Sequence, residues 1–353
     1  MSDSSRSYYP RLDGLRGVAI LLVLYEHLWD STYGVGGFGV SIFFVLSGFL
    51  ITRILLDYRN TLTFTAAARK FYWRRFLRLS PPFYAAIAAA LVLGVGGSKF
   101  TLLMDATYLA NFHVFALGHW TASSHFWSLA VEEQFYLVSF PLIVLVSKRW
   151  LGCALLVILG ASFAFDLVMP LAGYSLYHIL LLGSAHGLVA GGLLALGLQT
   201  TRRLNHVTRI LDHWSILAVS LVPILLSLRH PYWHGPTYIV VLLAIDLLAL
   251  YVIKRCIEST PTWHWDWLAW RWLRHLGVIS YGLYVYHYFI PQVIEKCSPQ
   301  LFLQHRQFCS VLAVFVSVVV AELSWRFLER PILKFKDGVP GRRPANSMVK
   351  ADT

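Results

Sequence analysis

A histidine stands where a membrane helix would not ordinarily hold one. In RLDGLRGVAILLVLYEHLW, residues 11–29, a long apolar run carries Arg16 near its start and Glu26 and His27 near its end. Ionisable residues inside apolar spans are costly and mark functional sites by default. An imidazole titrates near neutrality and can take a proton from a hydroxyl, which is general-base chemistry. Arg16 and His27 are eleven residues apart. At 100° per residue this spacing lies about 20° from three full turns, with a rise of about 16 Å. The two side chains therefore share one helix face, and a single long ligand could touch both.

A base needs an orienting partner. The stretch FWSLAVEEQFYL, residues 126–137, holds Glu132 and Glu133 about two turns from its start. In a helix of opposite direction that depth matches His27, so one of the two carboxylates is expected to support the imidazole. Adjacent residues point about 100° apart, so at most one faces it. The plainer alternative is that these acids pair with other buried polar groups. A second histidine, His287, lies in SYGLYVYHYFI, residues 280–290, with Tyr281, Tyr284 and Tyr288 on one helical face. Tyr284 and His287 are candidates for binding a hydroxyl-rich ligand, and packing is the equal alternative. Ser47 precedes a glycine in FFVLSGFLIT, which reads as a close-packing site rather than a nucleophile. Glu322 precedes Arg326 by four residues, a simple helical ion pair. Asp166 and Asp246 are buried-looking acids with no assigned partner.

The elements that must position these groups follow from composition. The chain is 57% hydrophobic and 14% charged over 353 residues, with mean hydropathy +0.59. Soluble domains carry about 25% charge. An all-α polytopic membrane protein is therefore expected. Ten apolar segments read as spans: 12–31, 36–56, 81–97, 126–147, 150–171, 178–198, 211–228, 236–253, 276–296 and 308–328. Ten crossings put both termini on one side. That side then holds 26 of the 30 lysines and arginines, a bias that makes it the cytoplasm. The net charge of +12 is thus spent at membrane surfaces, and lipids rather than nucleic acid are the expected partner. Residues 65–80, basic and aromatic by turns, read as an amphipathic helix on the cytoplasmic face, and residues 98–125 as a long loop in which short re-entrant or interfacial pieces stay open.

The run GVGGFG, residues 34–39, matches a nucleotide-loop pattern, but no strand precedes it; helix packing or an outer turn is the expected use. Cys297 and Cys309 fall on the outer side, where a disulfide is open to them; no cysteine pair has metal-site spacing, and no metal is expected. No cleavable leader is read at the N-terminus.

The chain resembles the membrane-bound acyltransferase-3 family. Six stretches carry the resemblance in order: RLDGLRGVAILLVLYEH, SIFFVLSGFLITRIL, FYWRRFLRLSPPFY, FWSLAVEEQFYLVSFPL, ISYGLYVYHYFI and WRFLERPIL. The resemblance implies transfer of an acyl group, usually acetyl, from cytoplasmic acyl-CoA to a hydroxyl of a sugar or related acceptor. It implies that Arg16 and His27 are the family's basic residue and histidine, that Arg75 and Arg78 are its arginine pair, and that Glu132 and Glu133 lie in its glutamate motif. Arg16, Arg75 and Arg78 would then hold the anionic phosphates of coenzyme A, with His27 as base. Residues 1–335 form the transmembrane domain in this reading, and 336–353 a basic cytoplasmic tail, without the soluble hydrolase-like domain some relatives carry. A bacterial inner membrane is the implied location. Acylation of a small macrolide-like metabolite, and transport of a lipid-linked sugar, stay open as alternatives.

Overall fold

The computed structural model describes residues 8–32, 34–199, 209–229, 236–258 and 263–337. Arg6, Arg202, Arg203 and most of the basic tail lie outside the described residues. Helices account for the fold, with no strand among the described residues. The first is α1 (Pro10–Leu28), opened by a proline at its first position, where a missing N–H costs nothing. Then come α2 (Val35–Thr61), α3 (Phe64–Leu93), the short α4 (Lys99–Ala106) and α5 (Ala110–Leu117), and α6 (Phe126–Leu145). After them run α7 (Lys148–Leu171), α8 (Leu181–Gln199), α9 (Ser215–Arg229) and α10 (Pro236–Ile257). The chain closes with α11 (Arg271–Val278), α12 (Ser280–Tyr286), α13 (Phe289–Cys297), α14 (Pro299–Gln304) and α15 (Arg306–Ser324).

Seven helices among the described residues are long and apolar enough to cross a membrane: α2, α3, α6, α7, α8, α10 and the run Arg306–Lys336. The other three expected spans differ for separate reasons. Helix α1 carries Arg11, Asp13, Arg16 and Glu26. Helix α9 has only 15 residues. The expected span 276–296 is broken into α11, α12 and α13. Pro291 explains one break: it has no N–H for the His287 carbonyl, so the helix stops and restarts at Phe289. Gln292 repairs the junction, donating from Nε2 to the Tyr288 carbonyl at 2.9 Å and the Ala122 carbonyl at 2.7 Å.

One further expectation is corrected and another is filled in. Residues 65–80 are not a separate surface helix; they are the first half of the 30-residue α3, which continues through Pro81 and Pro82. Burial of Phe71, Leu77, Leu79 and Phe83 against the core explains why the basic half is drawn in with the apolar half. Residues 98–125 contain α4 and α5, tied to α6 by a reciprocal amide pair between Asn111 and Gln134, at 3.0 Å in each direction.

The core is built on close helix crossings. A Cβ at Gly48 of α2 would lie 1.8 Å from the Leu188 carbonyl oxygen of α8, and one at Gly191 would lie 2.0 Å from the Val45 oxygen. Only glycine permits this backbone contact, as the Ser-Gly pair suggests. Helix α1 packs mainly on α2 and α11.

Candidate active site

The single helix α1 carries both Arg16 and His27, as their spacing requires. They open on different cavities. Arg16 reaches a narrow inner cavity of about 70 Å³, with Arg75 and Arg78 of α3, Ser47 of α2, and Glu132 and Tyr136 of α6. Among the described residues no carboxylate lies at ion-pair distance from any of the three guanidinium groups, and Arg16 Nε is buried without a hydrogen-bond partner. Three arginines without ion-pair partners around one cavity are an anion-binding arrangement. Tyr136 packs under Arg75, with the guanidinium 6.0 Å from the ring centre. Its hydroxyl donates to Glu132 Oε2 at 3.4 Å and lies 3.3 Å from Ser47 Oγ.

His27 is exposed to two larger cavities, of about 810 and 420 Å³, and lines both together with Glu26, Ser31 and Tyr288. The larger also meets Gln292, Lys296 and Arg306. The smaller is bounded by His125, Trp127, His178, His186 and Tyr238. Val40, Phe44 and Tyr284 line this cavity and the arginine cavity alike, so they form the partition between the two. Aromatic faces mixed with hydrogen-bonding groups suit a hydroxyl-rich ligand.

The neighbour of His27 is another imidazole. His27 Nδ1 lies 2.8 Å from His287 Nε2, and the Tyr288 ring packs edge-on at 5.1 Å. The carboxylate expected there is elsewhere. Glu132 lines the arginine cavity, and Glu133 lies in the field of Glu132 and Arg75. Equal depth on two helices does not fix which faces meet, and α1 packs on α2 and α11 rather than on α6. Tyr284 does not offer a free hydroxyl: it donates to the His125 carbonyl at 2.9 Å and sits 2.5 Å from Ser128 Oγ. Tyr281 likewise donates to the Leu79 carbonyl at 2.8 Å.

Glu26 has a definite place. The Gly36 N–H donates to its Oε2 at 2.5 Å, so its carboxylate closes the N-terminus of α2. The glycine run 34–39 therefore serves a helix start, with Gly34 in the left-handed region at φ 64°. Asp246, a buried-looking acid in the sequence, is indeed buried and meets His186, Nδ1 to Oδ2 at 2.5 Å; His125 and His186 had no distinguishing pattern in the sequence. Cys297 and Cys309 are both free thiols. Glu322 does accept from Arg326, at 2.5 Å, and from His275 at 2.8 Å.

Residues 9–323 match a family model described as an acyltransferase domain. The chain is 30% identical, over 94% of its length, to the peptidoglycan O-acetyltransferase OatA of Listeria monocytogenes, of which it covers 56%. It is 33% identical, over 92% of its length, to the putative peptidoglycan O-acetyltransferase YrhL of Bacillus subtilis, covering 55% of it. A putative O-acetyltransferase of Staphylococcus aureus is 27% identical over 93% of the chain, which covers 58% of it. The chain thus spans a little more than half the length of these relatives. No solved structure matches it.

Proposed function

This chain belongs to the acyltransferase family whose model spans residues 9–323, and on that premise we propose that it is a membrane O-acetyltransferase that moves an acetyl group from cytoplasmic acetyl-CoA to a hydroxyl of a carbohydrate, with peptidoglycan as the first candidate. The observation that carries the reading is the division of α1: Arg16 in an arginine cavity at one end, His27 in open cavities at the other, about 16 Å along the same helix.

Arg16, Arg75 and Arg78 hold the phosphate end of the donor by charge-assisted hydrogen bonds. The thin thioester arm passes the partition formed by Val40, Phe44 and Tyr284 toward His27. The acceptor enters from the outer cavities. His27 takes the hydroxyl proton as the oxygen attacks the thioester carbonyl carbon. The carbon–sulfur bond breaks, and the proton passes to the departing thiolate, so the products are the acetyl ester and free coenzyme A. Glu132, beside Ser47 and Tyr136, belongs to the donor side of this path. Ten crossings with both termini in the cytoplasm of a bacterial inner membrane complete the reading. It is supported by the charge bias of the sequence, with α1, α9 and the broken segment α11–α13 crossing beside the seven long helices.

Purified protein in detergent, given labelled acetyl-CoA and soluble peptidoglycan fragments, tests it. Label should appear as a base-labile ester on the glycan, and a folded His27→Ala protein should make none. Full activity in His27→Ala overturns the reading.

A further inference from the structure

The two hydrogen bonds behind His27 specify more than its neighbour. His287 Nδ1 lies 2.8 Å from the Tyr284 carbonyl oxygen and 3.1 Å from that of Leu283. Carbonyl oxygens only accept, so this nitrogen carries a proton. His287 is fully buried, and among the described residues its hydrogen-bond partners are these two carbonyls and His27, with no carboxylate. A buried, unpaired imidazolium is strongly disfavoured, so His287 is neutral and its Nε2 is a bare acceptor. The nitrogen 2.8 Å away, His27 Nδ1, must then be the donor. The planes of the rings differ by only 8°, and their facing nitrogens are closer than their centroids at 5.1 Å. The rings therefore meet edge to edge, with the hydrogen bond near the plane of both, as an sp² lone pair requires.

We propose that His287 is the positioning residue of the reaction: it locks His27 in the Nδ1–H tautomer and so keeps the Nε2 lone pair of His27 free for the acceptor hydroxyl. This rests on the reading of His27 as the base. A carboxylate usually plays this part, fixing tautomer and orientation from behind the reacting imidazole. Here a neutral imidazole does it, itself held by the Leu283 and Tyr284 carbonyls one turn back in its own helix. A neutral partner orients the base without the charge of a carboxylate, so the developing imidazolium at His27 is less stabilised and returns its proton to the thiolate readily.

The test compares His287→Phe with His287→Gln in acetyl transfer from acetyl-CoA to peptidoglycan fragments, together with nitrogen NMR of histidine-labelled wild-type protein, in which the His27 signal is identified by its loss in His27→Ala. Glutamine keeps an acceptor for His27 and a donor for the Tyr284 carbonyl; phenylalanine keeps only the bulk. His287→Phe should lower kcat on the order of 10²–10³-fold with KM for acetyl-CoA unchanged. His287→Gln should recover most of that loss. The wild-type spectrum should show His27 protonated at Nδ1 and bare at Nε2. A folded His287→Phe protein with wild-type kcat, equal loss in both variants, or a His27 ring protonated at Nε2 overturns the proposal. The spectrum decides alone where the variants do not fold. If His27→Ala is inactive while His287→Phe is fully active, the base survives and only the positioning role falls; an active His27→Ala removes both.

Discussion

Glu26 and Gly36 hold α1 and α2 together across their connecting turn. The Gly36 N–H donates to Glu26 Oε2 at 2.5 Å, and a Cβ at Gly36 would sit 3.0 Å from the Glu26 Cβ. An anion at a helix N-terminus satisfies orphan N–H groups and the positive end of the dipole. Glu26→Ala should cost about 1–2 kcal/mol, the usual loss of a helix cap, read as a lower unfolding midpoint in detergent. Glu26→Gln keeps the acceptor and should lose less. Equal midpoints for Glu26→Ala and wild type would exclude the cap.

The arginine cavity makes a binding prediction. Arg75 and Arg78 line it with Arg16, and none has a carboxylate at ion-pair distance among the described residues. A hydrogen bond to a charged group contributes about 1.5–3 kcal/mol. Arg75→Ala and Arg78→Ala should each weaken acetyl-CoA binding tenfold or more, measured by calorimetric titration. Dephospho-coenzyme A thioesters should discriminate less between wild type and variants. Unchanged affinity in both variants removes the phosphate assignment.

The pair His186 and Asp246 predicts a non-additive pattern. Both are buried, and their side chains meet at 2.5 Å between α8 and α10. Removing one partner of a buried pair leaves the other stranded and costs about 3–5 kcal/mol. Asp246→Leu alone should therefore lower the unfolding midpoint more than His186→Leu and Asp246→Leu together. A double variant as unstable as the sum of the singles would show that the two do not act as a pair.

Asp105 of α4 predicts a pH dependence. Its carboxyl is buried, and burial pushes it up from 3.8 to about 7 despite the hydrogen bond from Ser123 Oγ at 2.6 Å. In the window between these values the folded protein holds a proton that the unfolded chain has released. Stability from this group is therefore full at acid pH and falls as pH rises from about 4 through about 7. Asp105→Asn, which cannot ionise, should flatten the decline of unfolding midpoint across that range. An identical pH profile in the variant would count against the shift.

What the sequence determined by itself is whatever one helix decides alone. Arg16 and His27 share a face because 3.6 residues make a turn, and Glu322 meets Arg326 because four residues do. The apolar runs predict most of the long helices for the same reason: each residue contributes to burial through its own side chain. The tertiary structure decided which face meets which. Depth along an axis follows from counting residues, but the azimuth of one helix against another depends on how all their side chains pack. Glu132, expected at the depth of His27, lies instead with the arginines, while His287 takes the place behind His27. Glu26 finds its partner in a helix N-terminus, a backbone site that no residue pattern marks. The carbonyls that hold His287 lie one turn back in its own helix and act locally, yet they reach His27 only because α1 lies beside them.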